Sequence, residues 1–430
     1  MERGSTADET GPSLVQGSSF AKFGSIACVF LPFAAGYYLS YLFRTINALI
    51  AYPLTVDLGL GAAELGLLTA VYFLVLTAAQ IPIGMLLDRF GPRRVQAVLL
   101  IVAAGGAALF GRSTGFITLS VARAMLGLGL AAALMAGLKA IVIWFPRERV
   151  ALMNGYMIML GGLGAVTATA PAEWLLNWIG WRGLFEVLGL ATMATGALIF
   201  LVVPEHGQSP AKGLAPIRLQ RIYTDHRFWR IAPLSAGCVG SAWALQALWA
   251  APWLTDVERL DRKSLVGELS IMAIGLSVGA LLLGTVADRL RRRGLTTELL
   301  LSVLAVLMIG AELAMIFRLP LPLQLPWSVV SVAGAATVLS YAVIAEYFPS
   351  QLAGRANGCL NVLHFGWAFL VQYGIGLVVE QWSPERGHYP VVAYQAAFAV
   401  VAALQTLTLV WFIVAWLRAR CRPMAWVVPS

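Results

Sequence analysis

Twelve apolar runs of about 20 residues follow one another along this chain, and no other feature constrains its fold as strongly. They cover 24–50, 64–86, 95–111, 116–144, 150–177 and 181–203 in the first half. In the second half they cover 228–253, 267–287, 297–317, 325–346, 356–380 and 391–417. Each run is long enough to cross ~30 Å of hydrocarbon. Lipid offers no partner to a backbone amide, so such runs must be helices that satisfy their own hydrogen bonds. A membrane β-barrel would need alternating segments of about 10 residues, and the sequence has none. The expected fold class is an all-α membrane protein with twelve transmembrane helices. Charged residues make up only 12% of the chain, roughly half the share of a soluble domain.

The polar stretches set the organisation. Residues 1–22 form a polar tail without the basic start of a signal peptide, and the long first run is expected to be retained. A six-helix bundle is expected over 23–203, a connector over 204–227 with Pro204, Pro210 and Pro216, a second bundle over 228–417, and a tail over 418–430. Lysine and arginine favour the cytoplasmic side of a membrane. With both termini placed there, roughly two thirds of the 30 basic residues fall on inner segments, and the net charge of +9 is a topology signal. That argues against nucleic acid as a partner and for the inner (plasma) membrane as the location. Trp174, Trp178 and Trp181 are placed as an aromatic belt at an outer edge.

The two bundles are copies of each other. Gly84-Met-Leu-Leu-Asp88-Arg89 returns as Gly284-Thr-Val-Ala-Asp288-Arg289, an offset of 200. Trp144-Phe145-Pro146 with Asn154-Gly155 returns as Tyr347-Phe348-Pro349 with Asn357-Gly358, an offset of 203. Pro53 with Asp57 returns as Pro252 with Asp256, an offset of 199. Chance likeness between apolar helices would not hold register in this way. Parallel repeats of this kind are related by an axis along the membrane normal.

On these residues the chain resembles the major facilitator superfamily. The turn after the second span, Gly84-x-x-x-Asp88-Arg89-x-Gly91-x-Arg93-Arg94, carries that family's loop signature, and Arg123-x-x-x-Gly127-x-Gly129 is similar to its second one. The resemblance runs from about residue 23 to 417, and its nearest likeness is to bacterial organic-anion and nitrate-type porters. It implies two bundles rocking around a central cavity lined chiefly by spans one, four, seven and ten. It also implies a latch: Asp88 meets the positive end of span eleven, near Arg355, when the cavity faces out. Arg89, Arg93 and Arg94 anchor the turn, while Asp288 and Arg289 are its pseudo-symmetric counterparts.

Charged groups inside a bilayer are costly, roughly 2.5–3.5 kcal/mol each on insertion scales, so each is a site candidate. Arg44 leads, with Tyr37, Tyr41 and Asn47 on the same face of span one. A guanidinium among hydroxyls can grip a carboxylate through two parallel hydrogen bonds. Arg123 and Lys139 share span four but lie about 160° apart on a straight helix, so one cavity cannot hold both. Gln246, Tyr341, Asn361 and His364 are the polar candidates in the second half, with Trp249 either beside them or in the outer belt. Glu173, Glu186, Glu312 and His364 are candidates to carry a coupling proton, and Glu173 or Glu186 could instead pair with Arg182.

The leading expectation is a secondary active transporter moving a small anion, an organic acid or an inorganic anion, with proton coupling or by exchange. Efflux of a cationic or lipophilic compound is a competing class, although the family's Gly-Pro signature of antiporters is missing from Gly155–Pro171. Transition-metal (iron) transport, as in magnetosome-associated members of the superfamily, is another. A sensor or scaffold that has lost transport is a fourth. No nucleophile, nucleotide or metal-ligand motif survives inspection, so neither an enzyme nor a cofactor is expected. Cys28, Cys238, Cys359 and Cys421 are scattered, and Gly161, Gly162 and Gly164 lie within a span, where they allow close helix packing. The expected partners are a small-molecule substrate and the lipid bilayer, and the chain is expected to act as a monomer.

Overall fold

The computed structural model describes residues 26–205, 220–348, 350–385 and 387–420. Most of the two tails, and with it Cys421, lies outside the described residues, as does the middle of the connector with Pro210, Lys212, Pro216 and Arg218. The described residues form sixteen α-helices and two π-helical turns, with no strand among them. Eleven helices are long and apolar enough to cross a membrane. One of them, Ala62–Arg112, has 51 residues and leaves helical geometry at Gly91 (φ 79°, ψ 162°), so it holds spans two and three. That makes twelve spans. The positive φ at Gly91 is a conformation that only glycine adopts without strain, and Pro92 begins the next helix, where its missing N–H costs nothing.

Span one is the π-helical turn Ile26–Phe30 followed by Leu31–Thr45 and Asn47–Leu58. Span four is Phe116–Leu130 plus Ala133–Trp144, and span five starts as Arg147–Thr167. Ala170–Val202 completes span five and, beyond a second positive-φ glycine, Gly180, forms span six. Span seven is His226–Ala244, the π-helical turn Leu245–Trp249 and Ala250–Asp256. Spans eight and nine are Arg262–Arg292 and Thr297–Ile316. Span ten is Gln324–Gly334 with Thr337–Tyr347, while spans eleven and twelve are Ser350–Val379 and Val391–Arg420. Large apolar side chains such as Ile117, Leu190 and Leu407 are more than 60% exposed, as a surface facing lipid tails requires.

The duplication has a physical meaning at the ends of spans one and seven. Asp57 accepts hydrogen bonds from Trp181 Nε1 at 2.8 Å and Arg182 at 3.1 Å, tying span one to span six. Asp256 accepts from the Tyr394 hydroxyl at 2.6 Å and the Tyr389 N–H at 3.1 Å, and His388 Nδ1 lies 2.8 Å away. Each bundle thus closes its first span against its last with one aspartate. Trp181 is therefore buried within the protein rather than in a lipid-facing belt, whereas Trp174 and Trp178 remain exposed.

Where span seven starts, Asp225 caps the helix by accepting the Arg227 N–H at 2.8 Å. Burial pushes its carboxyl up, but the hydrogen bonds from the side chain and backbone of Arg227 outweigh this and hold it below the usual range. A depressed folded pKa means stabilisation that is present above the unfolded value, ~3.9, and lost as pH falls through the folded one. Asp225→Ala should therefore cost about 1 kcal/mol at neutral pH and progressively less in acid. Melts of the two proteins at neutral and acid pH check this, and a gap independent of pH would refute it.

Candidate functional site

The two bundles meet along spans two and eleven and along spans five and eight, and both seams close at the same end. At the end marked by Asp57 and Asp256, a Cβ on Gly66 would lie 2.9 Å from the Gln372 carbonyl, and one on Gly376 would lie 2.7 Å from that of Ala62. Glycine is required here because the helix backbones touch. On the second seam Ser270 donates to Thr169 at 3.0 Å, and Arg262 of span eight grips Glu173 of span five at 2.8 and 2.6 Å. Arg262 also donates to the Leu49 carbonyl at 2.9 Å. Pro53 explains that acceptor: it has no N–H to return to the carbonyl four residues back, so Leu49 is left for Arg262.

At the other end, marked by Asp88 and Asp288, the seams are apart. Nothing lies within 4 Å of where a Cβ would stand on Gly84, Gly155, Gly354 or Gly358. Asp88 does not meet span eleven here. It accepts from Lys139 at 2.7 Å, and the same ammonium donates to the Leu87 carbonyl at 2.7 Å. Lys139 thus caps the end of span two, just before the chain leaves helical geometry at Gly91. This arrangement is closed at the Asp57 end and open at the Asp88 end.

The other signature residues stay within one bundle. Arg93 donates to the Phe200 carbonyl at 3.0 and 2.6 Å, capping span six, and Arg94 pairs with Glu205. Arg89 lies over the Phe90 ring at 5.1 Å. Asp288 pairs with Arg291 of its own helix at 3.3 Å, and Arg289 is the following residue.

Between the seams, Arg44 is 8% exposed and stands among aromatic rings from both bundles. Its guanidinium carbon lies 4.5 Å from the ring of Tyr41, 4.9 Å from Trp243 and 5.6 Å from Phe365. Tyr37 stands edge-on to Tyr41 at 5.2 Å, and Gly161 packs against Tyr37 where a larger residue would collide. Asn47 donates to the Arg44 carbonyl at 3.2 Å across the break between the two helices of span one. Tyr341 approaches Tyr41 and Arg44 from span ten, and its hydroxyl donates to Asn361 at 2.6 Å. No carboxylate pairs with Arg44 among the described residues, and its Nε has no partner. Cation–π contact with several rings offsets part of the cost of burying that charge. With three rings close to the guanidinium, its N–H edge is what remains to meet a hydrogen-bond acceptor.

The remaining candidates sit elsewhere. Arg123 is fully buried inside the first bundle, over Phe110 at 4.5 Å and near the Phe43 carbonyl at 3.4 Å. Span four is interrupted between Leu130 and Ala133, yet Arg123 and Lys139 still point to different places. Gln246, in the π-helical turn of span seven, lines a narrow cavity of about 20 Å³ with Thr45, Ala48 and Met272, and its Nε2 is unpartnered. His364 is one layer behind Trp243, whose ring it meets edge-on at 5.8 Å. Its Nε2 is 2.7 Å from Ser235, which is 2.6 Å from Ser340. Glu312 is buried between spans nine and twelve, with Gln405 donating at 2.6 Å to one oxygen and nothing on the other.

Two further expectations are corrected. Neither Glu173 nor Glu186 pairs with Arg182: Glu173 holds Arg262, Glu186 lies 3.4 Å from Arg112, and Arg182 belongs to Asp57. Trp249 is no belt residue, because it is buried and donates to the Gln372 carbonyl at 3.0 Å. Trp243 and Phe365 at Arg44, and Arg262 at the seam, were not singled out at all. Trp243 is three residues before Gln246 and Phe365 follows His364, so polar-stripe reasoning passes beside both.

A family model described as the Major Facilitator Superfamily matches residues 33–267, more than half of the chain. The chain belongs to the major facilitator superfamily. It is a multi-pass membrane transporter and not an enzyme. Among its relatives, the hexuronate transporter of Escherichia coli (strain K12) is 26% identical over 86% of this chain and 90% of its own length. A probable sulfoacetate transporter of Cupriavidus necator is 26% identical over 66% of this chain and 70% of its own. Among solved structures, a bacterial homologue of the human lysosomal transporter Spinster covers 93% of this superfamily member with a TM-score of 0.71 and 19% identity. The match covers 96% of that structure's chain, and the likeness is one of fold.

Proposed function

We propose that this transporter carries a small organic anion across the inner membrane by alternating access, with both termini cytoplasmic and the anion's carboxylate or sulfonate held by Arg44. The observation that carries this reading is the buried Arg44, set between rings of both bundles with no acid beside it. A charge left unpaired in a low-dielectric site attracts an opposite charge that a polar cavity would ignore. The names of the relatives, which speak of hexuronate, galactonate and sulfoacetate, support the anionic class. Tyr341, Asn361 and Gln246 are then the groups that hydrogen-bond the rest of the substrate. Glu312 and His364, buried and outside the Arg44 layer, remain the candidates to take up a coupling proton.

Closing the Asp88 end requires Asp88 to leave Lys139 for span eleven. Asp88 is 66% exposed, so the pair is worth only about 0.5–1 kcal/mol. Lys139→Met should change the transport rate two- to fivefold and leave substrate affinity alone. Binding and uptake measured on one preparation test it, and lost binding would put Lys139 in the substrate site.

The test of the function itself is thermal stabilisation of the purified protein by a panel of carboxylates, sulfonates, divalent metals and lipophilic cations. A ligand at 100 times its dissociation constant adds about 2.7 kcal/mol, enough to read as a shifted melt. Stabilisation by glucuronate or sulfoacetate supports the reading. Stabilisation by metals or cations alone overturns it.

A further inference from the structure

Away from the Arg44 layer, a cavity of about 310 Å³ opens at the turn between spans two and three. Among the described residues, Arg89, Arg93 and Arg94 line it, and Glu205 is the one acid in its wall. Three guanidiniums against one carboxylate leave it positive. The reversal at Gly91 makes the concavity, because it sets Arg89 on one side of the turn and Arg93 and Arg94 on the other. Arg93 is immobilised by its two hydrogen bonds to Phe200, which leaves Nη1 3.9 Å from Glu205 and turned to the cavity. Arg89 has no ion pair among the described residues and lies over the Phe90 ring.

The surroundings are apolar. Phe90 and Trp144 line the cavity, Phe200 meets Arg93 there, and on the same two helices Leu86, Phe90, Phe200 and Leu201 are 40%, 45%, 52% and 77% exposed. Exposed apolar side chains on a membrane-spanning bundle face acyl chains. A free oxyanion would need the arginines only, whereas a headgroup with tails uses both surfaces. Basic pockets at the membrane face take anionic headgroups in this way.

We propose that this cavity binds an anionic phospholipid, its phosphate held by Arg89, Arg94 and the open edge of Arg93, with its acyl chains along Leu86, Phe90 and Leu201. Arg89 adjoins Asp88, so the lipid would sit beside the Asp88–Lys139 pair. The site is independent of the substrate reading.

The test titrates the detergent-purified full chain with dioleoyl-phosphatidylglycerol, with dioleoyl-phosphatidylcholine and with inorganic phosphate. Native mass spectrometry and thermal unfolding report the binding. Phosphatidylglycerol should bind in preference to phosphatidylcholine. Arg89→Gln combined with Arg94→Gln should weaken it roughly thirtyfold, about fivefold for each charge lost, with phosphatidylcholine unaffected. Glu205→Gln removes the competing acid and should tighten it, which keeps the test decisive if the double variant fails to fold. Equal binding of the two lipids, an intact preference in the double variant, or weaker binding in Glu205→Gln would each overturn the proposal. Full stabilisation by phosphate alone would also overturn it and assign the cavity to a free oxyanion.

Discussion

Arg44→Ala should weaken binding of a stabilising carboxylate at least a hundredfold while the protein still folds. A buried, hydrogen-bonded charge pair that loses one partner costs about 2–5 kcal/mol, and about 2.8 kcal/mol is already a factor of a hundred. Folding survives because no acid among the described residues depends on Arg44, so its removal orphans no buried charge. Arg44→Lys keeps the charge but loses the planar fork and the contact with the rings of Tyr41, Trp243 and Phe365. It should recover less than half of the lost binding energy. Thermal shifts of the three proteins with one carboxylate ligand decide the matter. Unchanged affinity in Arg44→Ala would remove the anion site from the centre of this transporter.

The second large effect is expected at the seam between the bundles. Arg262 makes three hydrogen bonds across it, two to Glu173 and one to Leu49. Glu173 is mostly buried there. Arg262→Ala should shift the balance between closed and open at the Asp57 end by about 2 kcal/mol, roughly thirtyfold towards open. A cysteine placed at Thr169, which Ser270 covers, should then react faster with a water-soluble thiol reagent. Glu173→Gln should act in the same direction but less, since Leu49 still accepts from Arg262. An unchanged labelling rate in both variants would show that packing at Gly66 and Gly376, not this ion pair, keeps the end shut.

The fold was legible because a membrane leaves so few options. Lipid forces helices, the runs give their number, and constant offsets between Pro53 and Pro252 or Gly84 and Gly284 expose the duplication. The candidate centre was legible in one residue, Arg44, because a charge inside an apolar run stands out against its neighbours. Its surroundings were not, since Trp243 and Phe365 look in the sequence like any core aromatics, and only the meeting of spans one, seven and eleven brings them over a guanidinium. The ion pairs were misread where several partners of the right sign lay nearby: Arg182 had two glutamates in reach by sequence and took Asp57 instead.

By itself, then, the sequence determined the spans, the two halves and the presence of a rare buried cation, because each rests on local chemistry read within about 20 residues. Only the tertiary structure decided which end is shut, that Asp88 rests on Lys139, that Arg123 is buried within the first bundle, and that Arg262 takes the carbonyl Pro53 leaves open. Those are contacts between helices far apart along the chain. Apolar patterning turns a helix toward lipid or protein, but it does not say which neighbour it meets or in what register.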